Sequence, residues 1–464
     1  MTSSRVQPIH EIPFDGKSVM YVMSRDQRIQ DNHALLEAQS YALHHHVPLY
    51  VLFVLKEVNH RSREHYEFML RGLEQVSTDL SKYAIPFILR IGDAETEIRK
   101  LCEEISCGAL FFDFSPLTHS RELVSSIKAK NASSVYVVDT HNIIPVWHVS
   151  DKQEYAARTM RLKVHRQLEP FLKEPKRITK HPHAAQSVNS QSFKDAKDYL
   201  RNIPSCGIAT TFFSGEKAAL DHLNDFINDG LEMYASGRNN IAHDQQSNLS
   251  PYLHFGQLSS LRVALQVMNS VDALPLLYSE ARMPSAGETP SRVDGMNALF
   301  EEMIVRKELS DNFCYYNNSY KSLEGAPDWA KRALKSHRDD PRDFTYSRDQ
   351  WENGETHDEL WNASQNQLRK VGKIHGYMRM YWAKKLLEWS ASPEEALEIG
   401  IYLNDTYSID GGDPNGYVGL LWSIAGLHDR PWSNRPVYGS IRYMSANGLR
   451  RKFDTDSYVR QWNT

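Results

Sequence analysis

Short apolar runs alternate with longer mixed segments through the first third of the chain. The runs are Val19–Met23, Leu49–Val54, Phe87–Arg90, Ala109–Phe112 and Val135–Val138. Each is rich in β-branched and aromatic residues, and the segments between them are long enough for a helix. This pattern predicts strand–helix–strand units over residues 17–150, and therefore a doubly wound parallel sheet. No GxGxxG motif follows the first run, so the usual dinucleotide-binding fingerprint is missing.

Helical spacing of apolar residues dominates the C-terminal half of the chain. Clear examples are Glu216–Ile227, Ser259–Met268, Asn297–Asp311, Gln365–Trp389 and Pro393–Leu403. Between the two halves, residues 175–215 are polar, contain Pro and Ser, and show no apolar period. We therefore predict an α/β domain over residues 17–150, a linker over 151–214 and an all-α domain over 215–464.

The segment Gly376–Trp389 (GYMRMYWAKKLLEW) carries two indoles on one predicted helix face. Trp382 and Trp389 are seven residues apart, or about 10 Å along a helix axis. A third indole, Trp361, lies just upstream. A buried aromatic helix explains this spacing, but three redox-capable rings could also carry electrons.

Composition narrows the possible classes of function. The 464 residues are 41% hydrophobic and 24% charged, which is typical of a folded chain of two or three domains. There is no run of 18 apolar residues and no signal-peptide core, so we expect no membrane partner. We expect an intracellular protein, in the cytoplasm or nucleoid of a prokaryote or the nucleus of a eukaryote. The four cysteines lack CxxC spacing, so no metal site is predicted.

Local charge differs from the formal net charge of −4, which by itself argues against nucleic-acid binding. Residues 430–460 contain seven cations and only two acids, Asp454 and Asp456. The cations are Arg430, Arg435, Arg442, Arg450, Arg451, Lys452 and Arg460. Such a segment is either a solvated surface or a basic face that contacts phosphates.

Two polar motifs in the helical half suggest ligand binding. Ser247–Gly256 (SNLSPYLHFG) places hydroxyls at a helix start, a geometry that binds phosphate but that is also an ordinary helix start. Leu403–Gly416 crowds acids and amides around a Gly-rich turn. A calcium loop is a rival explanation of the second motif, although its Gly and its closing Glu are out of place.

Several long motifs together resemble the photolyase/cryptochrome family, and within it the class II cyclobutane-pyrimidine-dimer (CPD) DNA photolyases. They are Met23–Arg28 with Asp31-Asn32, SNLSPYLHFGQ, DNFCYYN, THDELWNASQ, GYMRMYWAKK and DPNGY with WSIAGLHDR. The match is collinear over nearly the whole chain except residues 175–215. The resemblance implies a Rossmann-like N-terminal antenna domain and a C-terminal α-helical FAD-binding domain.

The same resemblance implies a monomeric, light-driven carbon–carbon lyase that acts on double-stranded DNA containing pyrimidine dimers. In such enzymes excited FADH⁻ passes an electron to a flipped-out dimer, the cyclobutane ring splits, and the electron returns without net redox change. The N-terminal domain often holds an antenna chromophore, a deazaflavin or a folate, and nothing in this sequence selects one.

By resemblance, the side chains that hold FAD are Tyr234, Ser247, Leu249, Ser250, Arg379, Asp410 and Asp413. Arg379 and Asp410 would form an ion pair against the flavin ring. Asn404 would face flavin N5, where an amide suits a fully reduced, anionic flavin. Glu302 would hydrogen-bond to the dimer and stabilise its radical anion, and Trp422 would offer the dimer an apolar face.

The resemblance also assigns an electron path and DNA contacts. The electron path would connect the flavin, Trp382, Trp361, Trp389 and the surface, in that order. Arg238 would enter the gap left by the flipped dimer, and Arg442 would contact the DNA backbone. Arg306 stands where some relatives carry a second Trp, so it would stack by its guanidinium or bind phosphate.

Three other functions compete with CPD repair. The first is a cryptochrome-like flavin photoreceptor. Asn404 and the short segment after Trp422 both disfavour this alternative. The second is a (6-4) photolyase, which needs a pair of catalytic histidines, with His254 and His375 as the candidates. The third is a light-independent flavin or nucleotide-binding module.

Overall fold

Six strands form one sheet in the N-terminal part of the computed structural model, which describes residues 4–130, 133–275, 277, 281 and 288–463. The strands are β1 Val6–His10, β2 Ser18–Val22, β3 Leu49–Leu55, β4 Phe87–Ile91, β5 Cys107–Asp113 and β6 Ser134–Val138. Their order is β1-β6-β5-β2-β3-β4, and all neighbours are parallel except β1 and β6. The predicted doubly wound α/β sheet is confirmed, because the order reverses between β2 and β5.

Helices cover both faces of this sheet. They are α1 His33–His44, α2 Arg63–Lys82, α3 Ala94–Glu104, α4 Thr118–Lys130 and α5 Val146–Val149. Alternate residues of β2 enter different cores: Val19 and Tyr21 pack with α1 and α2, whereas Met20 and Val22 pack with α3. Burial on both faces explains why the strands appear in the sequence as continuous apolar runs.

The edge strand β1 was not predicted from the sequence. Its five residues, VQPIH, contain a proline and lack an apolar run. Pro8 is tolerated because β1 is an edge strand that pairs only with β6, with an irregular register after Pro8.

Residues 151–214 contain two helices rather than a bare linker. These are α6 Ala157–Gln167 and α7 Phe193–Leu200, with a 3₁₀ turn at Glu169–Phe171. The stretch between them follows the α/β part: the His181 amide donates to the Tyr83 carbonyl at 2.8 Å, and the Tyr50 hydroxyl accepts from the Gln186 amide at 2.9 Å. The domain boundaries stay predictions, but this segment packs on the first domain.

The described residues after 214 form helices joined by turns and irregular segments, which confirms the predicted helical fold of this half. Its helices are α8 Glu216–Asp225, α9 Leu231–Gly237, α10 Ser250–His254, α11 Ser260–Val271, α12 Arg292–Phe300, α13 Lys307–Tyr316, α14 Asp328–Ser336, α15 Arg348–Asn353, α16 Glu359–Val371, α17 Gly376–Trp389, α18 Pro393–Tyr407, α19 Pro414–Ala425, α20 Ala446–Arg450 and α21 Thr455–Trp462. A 3₁₀ turn lies at Leu323–Gly325, and π-helical turns lie at Phe226–Gly230 and Glu301–Arg306. No helix of the described residues is long and apolar enough to cross a bilayer.

The predicted helix Gln365–Trp389 is wrong at its centre, because two separate helices, α16 and α17, occupy this segment. The pattern Gln365–Trp389 is broken after Val371, where Gly372 adopts the left-handed conformation with φ +73°. The Gly372 amide donates to the Leu368 carbonyl and ends α16. The Gly372 carbonyl accepts from the Ile409 amide. The break lets α17 begin at Gly376 in a new direction.

Ion pairs join the α/β part to the helical part. The Arg25 guanidinium donates to both carboxylate oxygens of Asp311, at 2.7 and 2.9 Å, and this pair is nearly buried. Arg25 lies in the turn after β2, at the point where the sheet order reverses. Asp113 at the end of β5 accepts three backbone amides of that same turn, so the turn fills the crevice of the sheet.

Candidate active site

One cavity in the helical part gathers the side chains that the resemblance assigned to a flavin. Its lining comes from α9, α10, the π turn before α13, α17 and the turns around α19. The lining residues are His141, Tyr234, Ser247, Leu249, Ser250, Leu253, His254, Leu299, Glu302, Met303, Lys307, Arg379, Asp410, Asp413, Asn415 and Gly416. All seven proposed FAD residues and Glu302 are therefore brought together from distant parts of the chain.

The serine motif forms one wall of the cavity. Ser250 begins α10 with Pro251 in its first turn, and Asn248 before it is left-handed with φ +53°. The Ser247 hydroxyl contacts the Tyr234 phenol, whose pKa is raised, chiefly by burial. Local turn geometry thus directs two hydroxyls and a phenol to the same space.

Arg379 and Asp410 form the predicted ion pair, although a loose one, with 3.8 Å between Nη2 and Oδ1. Burial would raise the pKa of Asp410, but the charges of Arg379 and Lys373 lower it below the ordinary value. Ser408 donates a short hydrogen bond to the same carboxylate. The cavity therefore keeps a charged carboxylate beside a guanidinium.

Asn404 lies one layer behind the lining. Its Oδ1 accepts from Arg379 Nη1 at 3.1 Å, and its Nδ2 donates to Asp405 at 3.0 Å. A Cβ at the cavity residue Gly416 would lie 2.9 Å from Asn404 Nδ2. The amide is thus fixed by Arg379 and Asp405, and the lack of a side chain at Gly416 leaves room for it.

Asp413 caps α19 and binds a histidine. One carboxylate oxygen accepts from the Asn415 amide at 2.9 Å, and the other contacts His254 Nδ1 at 3.1 Å. Burial opposes ionisation, but His254 and Arg25 hold the pKa of Asp413 well below its usual range. The second histidine of the (6-4) alternative, His375, caps α17 and lines a separate cavity.

Glu302 and Arg238 pair with each other. Arg238 Nη1 lies 2.6 Å from Glu302 Oε1, and both side chains are partly exposed. The sequence had placed one in catalysis and the other in DNA binding. The structure therefore brings together two side chains for which the resemblance implies different roles.

Arg306 is tied to its own helix. Its Nε donates to Glu301 Oε1 at 3.0 Å, and Glu301 also accepts two hydrogen bonds from Arg161. The Arg306 side chain is 41% exposed. The guanidinium is therefore held at the surface in a fixed direction.

Aromatic rings and cations meet at the predicted DNA face. The Arg430 and Arg442 guanidinium groups lie 4.9 and 4.8 Å from the Trp432 ring centroid. Trp422 lies on α19 and has the Lys384 ammonium 4.9 Å from its own ring centroid. Among the described residues no group of three or more His, Cys, Asp or Glu is arranged to hold a metal ion.

The three predicted redox tryptophans are buried, and a fourth lies among them. The rings of Trp382 and Trp361 are nearly parallel, with centroids 6.3 Å apart. Trp351 lies 4.7 Å from Trp361 and 6.1 Å from Trp389, again measured between centroids. The sequence pattern did not predict a role for Trp351, because α15 is only six residues long and polar. Its position ten residues before Trp361 is the one signal that could have indicated it.

Comparison with known proteins identifies the family. Residues 19–183 match the family model described as DNA photolyase. The chain is 43% identical over 453 residues to the deoxyribodipyrimidine photo-lyase of Potorous tridactylus, with 96% of this chain and 81% of that protein covered. The chain belongs to the DNA photolyase family. The Arabidopsis thaliana photo-lyase is 41% identical, with 95% and 88% covered, and that of Methanothermobacter thermautotrophicus is 37% identical, with 96% and 94% covered.

Two solved structures share the fold of this photolyase. One is a bacterial class III photolyase from Agrobacterium tumefaciens, with a TM-score of 0.72, 19% identity, and 98% of this chain and 87% of that chain covered. The other is a cryptochrome from Synechocystis, with a TM-score of 0.71, 15% identity, and 96% and 88% covered. Both likenesses concern the fold alone. Membership confirms the resemblance to the photolyase family, and the chain is a DNA-repair lyase of a flavin-dependent family.

Proposed function

We propose that this photolyase splits cyclobutane pyrimidine dimers in double-stranded DNA and is of class II. One observation supports the proposal above the others: the residues assigned to FAD and the Glu302 carboxyl line a single cavity. When bound, FAD as FADH⁻ supplies the light-driven electron that opens the cyclobutane ring. The alternative is a cryptochrome-like blue-light photoreceptor on the same fold.

The donor set of the cavity fits a dinucleotide flavin. Hydroxyls of Ser247 and Ser250 at the start of α10 suit a pyrophosphate. The Arg379–Asp410 pair offers a cation and an anion to a polar ring edge, and Asp413 offers a carboxylate to ribose. The neutral amide of Asn404 gives Arg379 an acceptor without bringing an acidic proton to the site.

The lesion is proposed to stack on Trp422 and to accept or donate a hydrogen bond at Glu302. In the free protein Arg238 neutralises Glu302. If Arg238 moves into the gap that the flipped dimer leaves in the duplex, the Glu302 carboxyl becomes available to the dimer. Arg442 and Arg306 would hold phosphates, which position the duplex without reading its sequence.

The buried indoles are proposed to carry electrons from the surface toward the flavin. The order that fits the spacing is Trp389, Trp351, Trp361 and Trp382, because each centroid lies within 6.3 Å of the next. This order adds Trp351 to the three rings predicted from the sequence. An antenna chromophore, deazaflavin or folate, remains a prediction of the resemblance.

Repair of a defined duplex tests the proposal. The purified holoprotein is photoreduced and given a duplex containing one thymine dimer under near-UV light. We expect intact thymines to be restored, with binding that weakens as salt rises and depends little on flanking bases. No repair with FAD bound and reduced would refute the proposal and favour the photoreceptor alternative.

A matched pair of acid variants sharpens the same experiment. Glu302→Gln should lower repair per absorbed photon about tenfold or more while flavin content stays constant. Glu324→Gln is the control, because Glu324 is an exposed acid that forms a long ion pair of 3.6 Å with Lys331. Equal repair by both variants would show that the Glu302 carboxyl takes no part in the reaction.

A further inference from the structure

The indole of Trp422 rests on a buried lysine. Lys384 Nζ lies 4.9 Å from the centroid of the Trp422 ring and donates to the Ser423 carbonyl at 2.9 Å. Lys384 comes from α17, the helix that also carries Arg379 and Trp382, and its side chain has no exposed surface. Two helices are therefore joined at this point by a cation under an aromatic ring.

Lys384 has no acidic partner at ion-pair distance among the described residues. The next residue, Lys385, is nearly as buried but pairs closely with Glu388. Burial of an unpaired ammonium is costly, so a packing role alone would be served better by an apolar side chain. A retained buried charge points to a role in function.

We propose that Lys384 is a positioning residue of the lesion site, whose ammonium holds one face of Trp422 so that the opposite face is presented to the flipped-out dimer. This inference rests on the proposed function, because it takes Trp422 as the surface on which the dimer stacks. An attractive contact with the π-face fixes the plane of the indole, whereas a neutral side chain would leave it free to tilt.

The charge of Lys384 is set by few groups. Burial lowers its pKa to about 7, Asp429 opposes this shift and Arg442 adds to it. The remaining polar groups nearby are engaged elsewhere, because Glu388 accepts from Lys385 and Tyr438. Lesion binding should therefore weaken as pH rises through about 7. A DNA phosphate at Arg442 would screen that cation and favour protonation of Lys384 when DNA binds.

The test measures the ratio of affinities for a thymine-dimer duplex and an undamaged duplex, on the holoprotein, from about pH 6 to about pH 9. The wild-type ratio should fall with rising pH. Lys384→Met should lower the ratio about tenfold at the acid end and remove its pH dependence. Lys384→Arg should keep a high ratio at every pH, since a guanidinium stays charged. Lys100→Met, at an exposed lysine of α3 in the α/β part, is the control and should follow the wild-type profile.

The outcomes separate this inference from the proposed function. A wild type without preference for the dimer would refute the proposed function itself. A wild type with that preference, together with an unchanged ratio in Lys384→Met, would overturn the role of Lys384. If that variant does not fold, identical pH profiles of wild type and Lys384→Arg would overturn it equally. In a Trp422→Ala background, Lys384→Met should change the ratio little, and an undiminished effect would also count against the proposal.

Discussion

Four buried indoles follow one another through the helical part, and three of them are held by hydrogen bonds or cations. Trp382 Nε1 donates to Gln365, Trp361 Nε1 donates to the Trp382 carbonyl, and the Lys385 ammonium lies over Trp389. The indole nitrogen of Trp351 has no hydrogen-bond partner in the described part of the chain. Trp351 is therefore held by packing, between the rings of Trp361 and Trp389.

Replacement of Trp351 tests whether that ring conducts. We expect Trp351→Phe to slow photoreduction of bound flavin about tenfold, as Trp382→Phe should, because a phenyl ring is far harder to oxidise than an indole. Repair by pre-reduced enzyme should change little, and both rates are measured by absorption spectroscopy. Trp147→Phe, in the α/β part, is the control. Equal losses of photoreduction and repair would indicate packing instead of conduction.

At the scale of elements, the break between α16 and α17 positions the site. Gly372 ends α16, and α17 then presents Arg379 to the cavity, Trp382 to the indoles and Lys384 to Trp422. Three functions share one helix because successive side chains point in different directions around its axis. The direction of α17 is therefore set in the short connection that begins at the left-handed Gly372.

Substitution of that glycine should cost stability. Gly372→Ala must adopt φ +73° and would place a Cβ 2.8 Å from Ile208 Cγ2, so we expect a loss of about 1–3 kcal/mol in denaturant unfolding. Gly419→Ala is the matched control, since Gly419 lies within α19 with nothing within 4 Å of an added Cβ. The control should gain about 0.5–1 kcal/mol. Equal changes in the free energy of unfolding for the two variants would show that residue 372 tolerates a Cβ.

At the scale of the whole molecule, buried polar groups join the two parts. His65 of α2 contacts the Ser408 carbonyl at 2.7 Å through Nε2 and accepts from the Ser62 amide through Nδ1. Burial, followed by the charge of Arg61, lowers the pKa of His65 to about 4. The neutral imidazole therefore connects the α/β part to the turn that carries Asp410.

This contact makes stability depend on pH. The pKa of His65 is about 6.5 in the unfolded chain and about 4 in the native protein. Between these two pH values the unfolded chain binds a proton at His65 and the native protein does not. The contribution of His65 is thus complete above pH 6.5 and declines as pH falls toward 4, by up to about 3 kcal/mol. Denaturant midpoints between pH 7.5 and pH 4.5 measure the slope, which should be shallower in His65→Gln. An equal slope would place the acid sensitivity elsewhere.

Sequence patterns predicted elements whose period is strong and local. The apolar runs of β2 to β6 lie within about two residues of their predicted bounds, and α17 ends at the predicted Trp389, because burial on both faces or on a helical stripe leaves a direct trace. Strand β1 left no such trace, since its apolar content is low and its pairing with β6 spans more than a hundred residues. The left-handed Gly372 was missed because the apolar period continues through it.

The chemistry of the site divides in the same way. The sequence by itself determined the types of side chain, their motifs and the family. Hydroxyls at the start of a helix, or an arginine on the same helix as two tryptophans, can be recognised from neighbouring residues in the chain. Only the tertiary structure decided which groups meet: Arg238 with Glu302, Trp351 between Trp361 and Trp389, and Lys384 beneath Trp422. These contacts join residues from different helices, and the angles at which helices pack have no local signature in the chain.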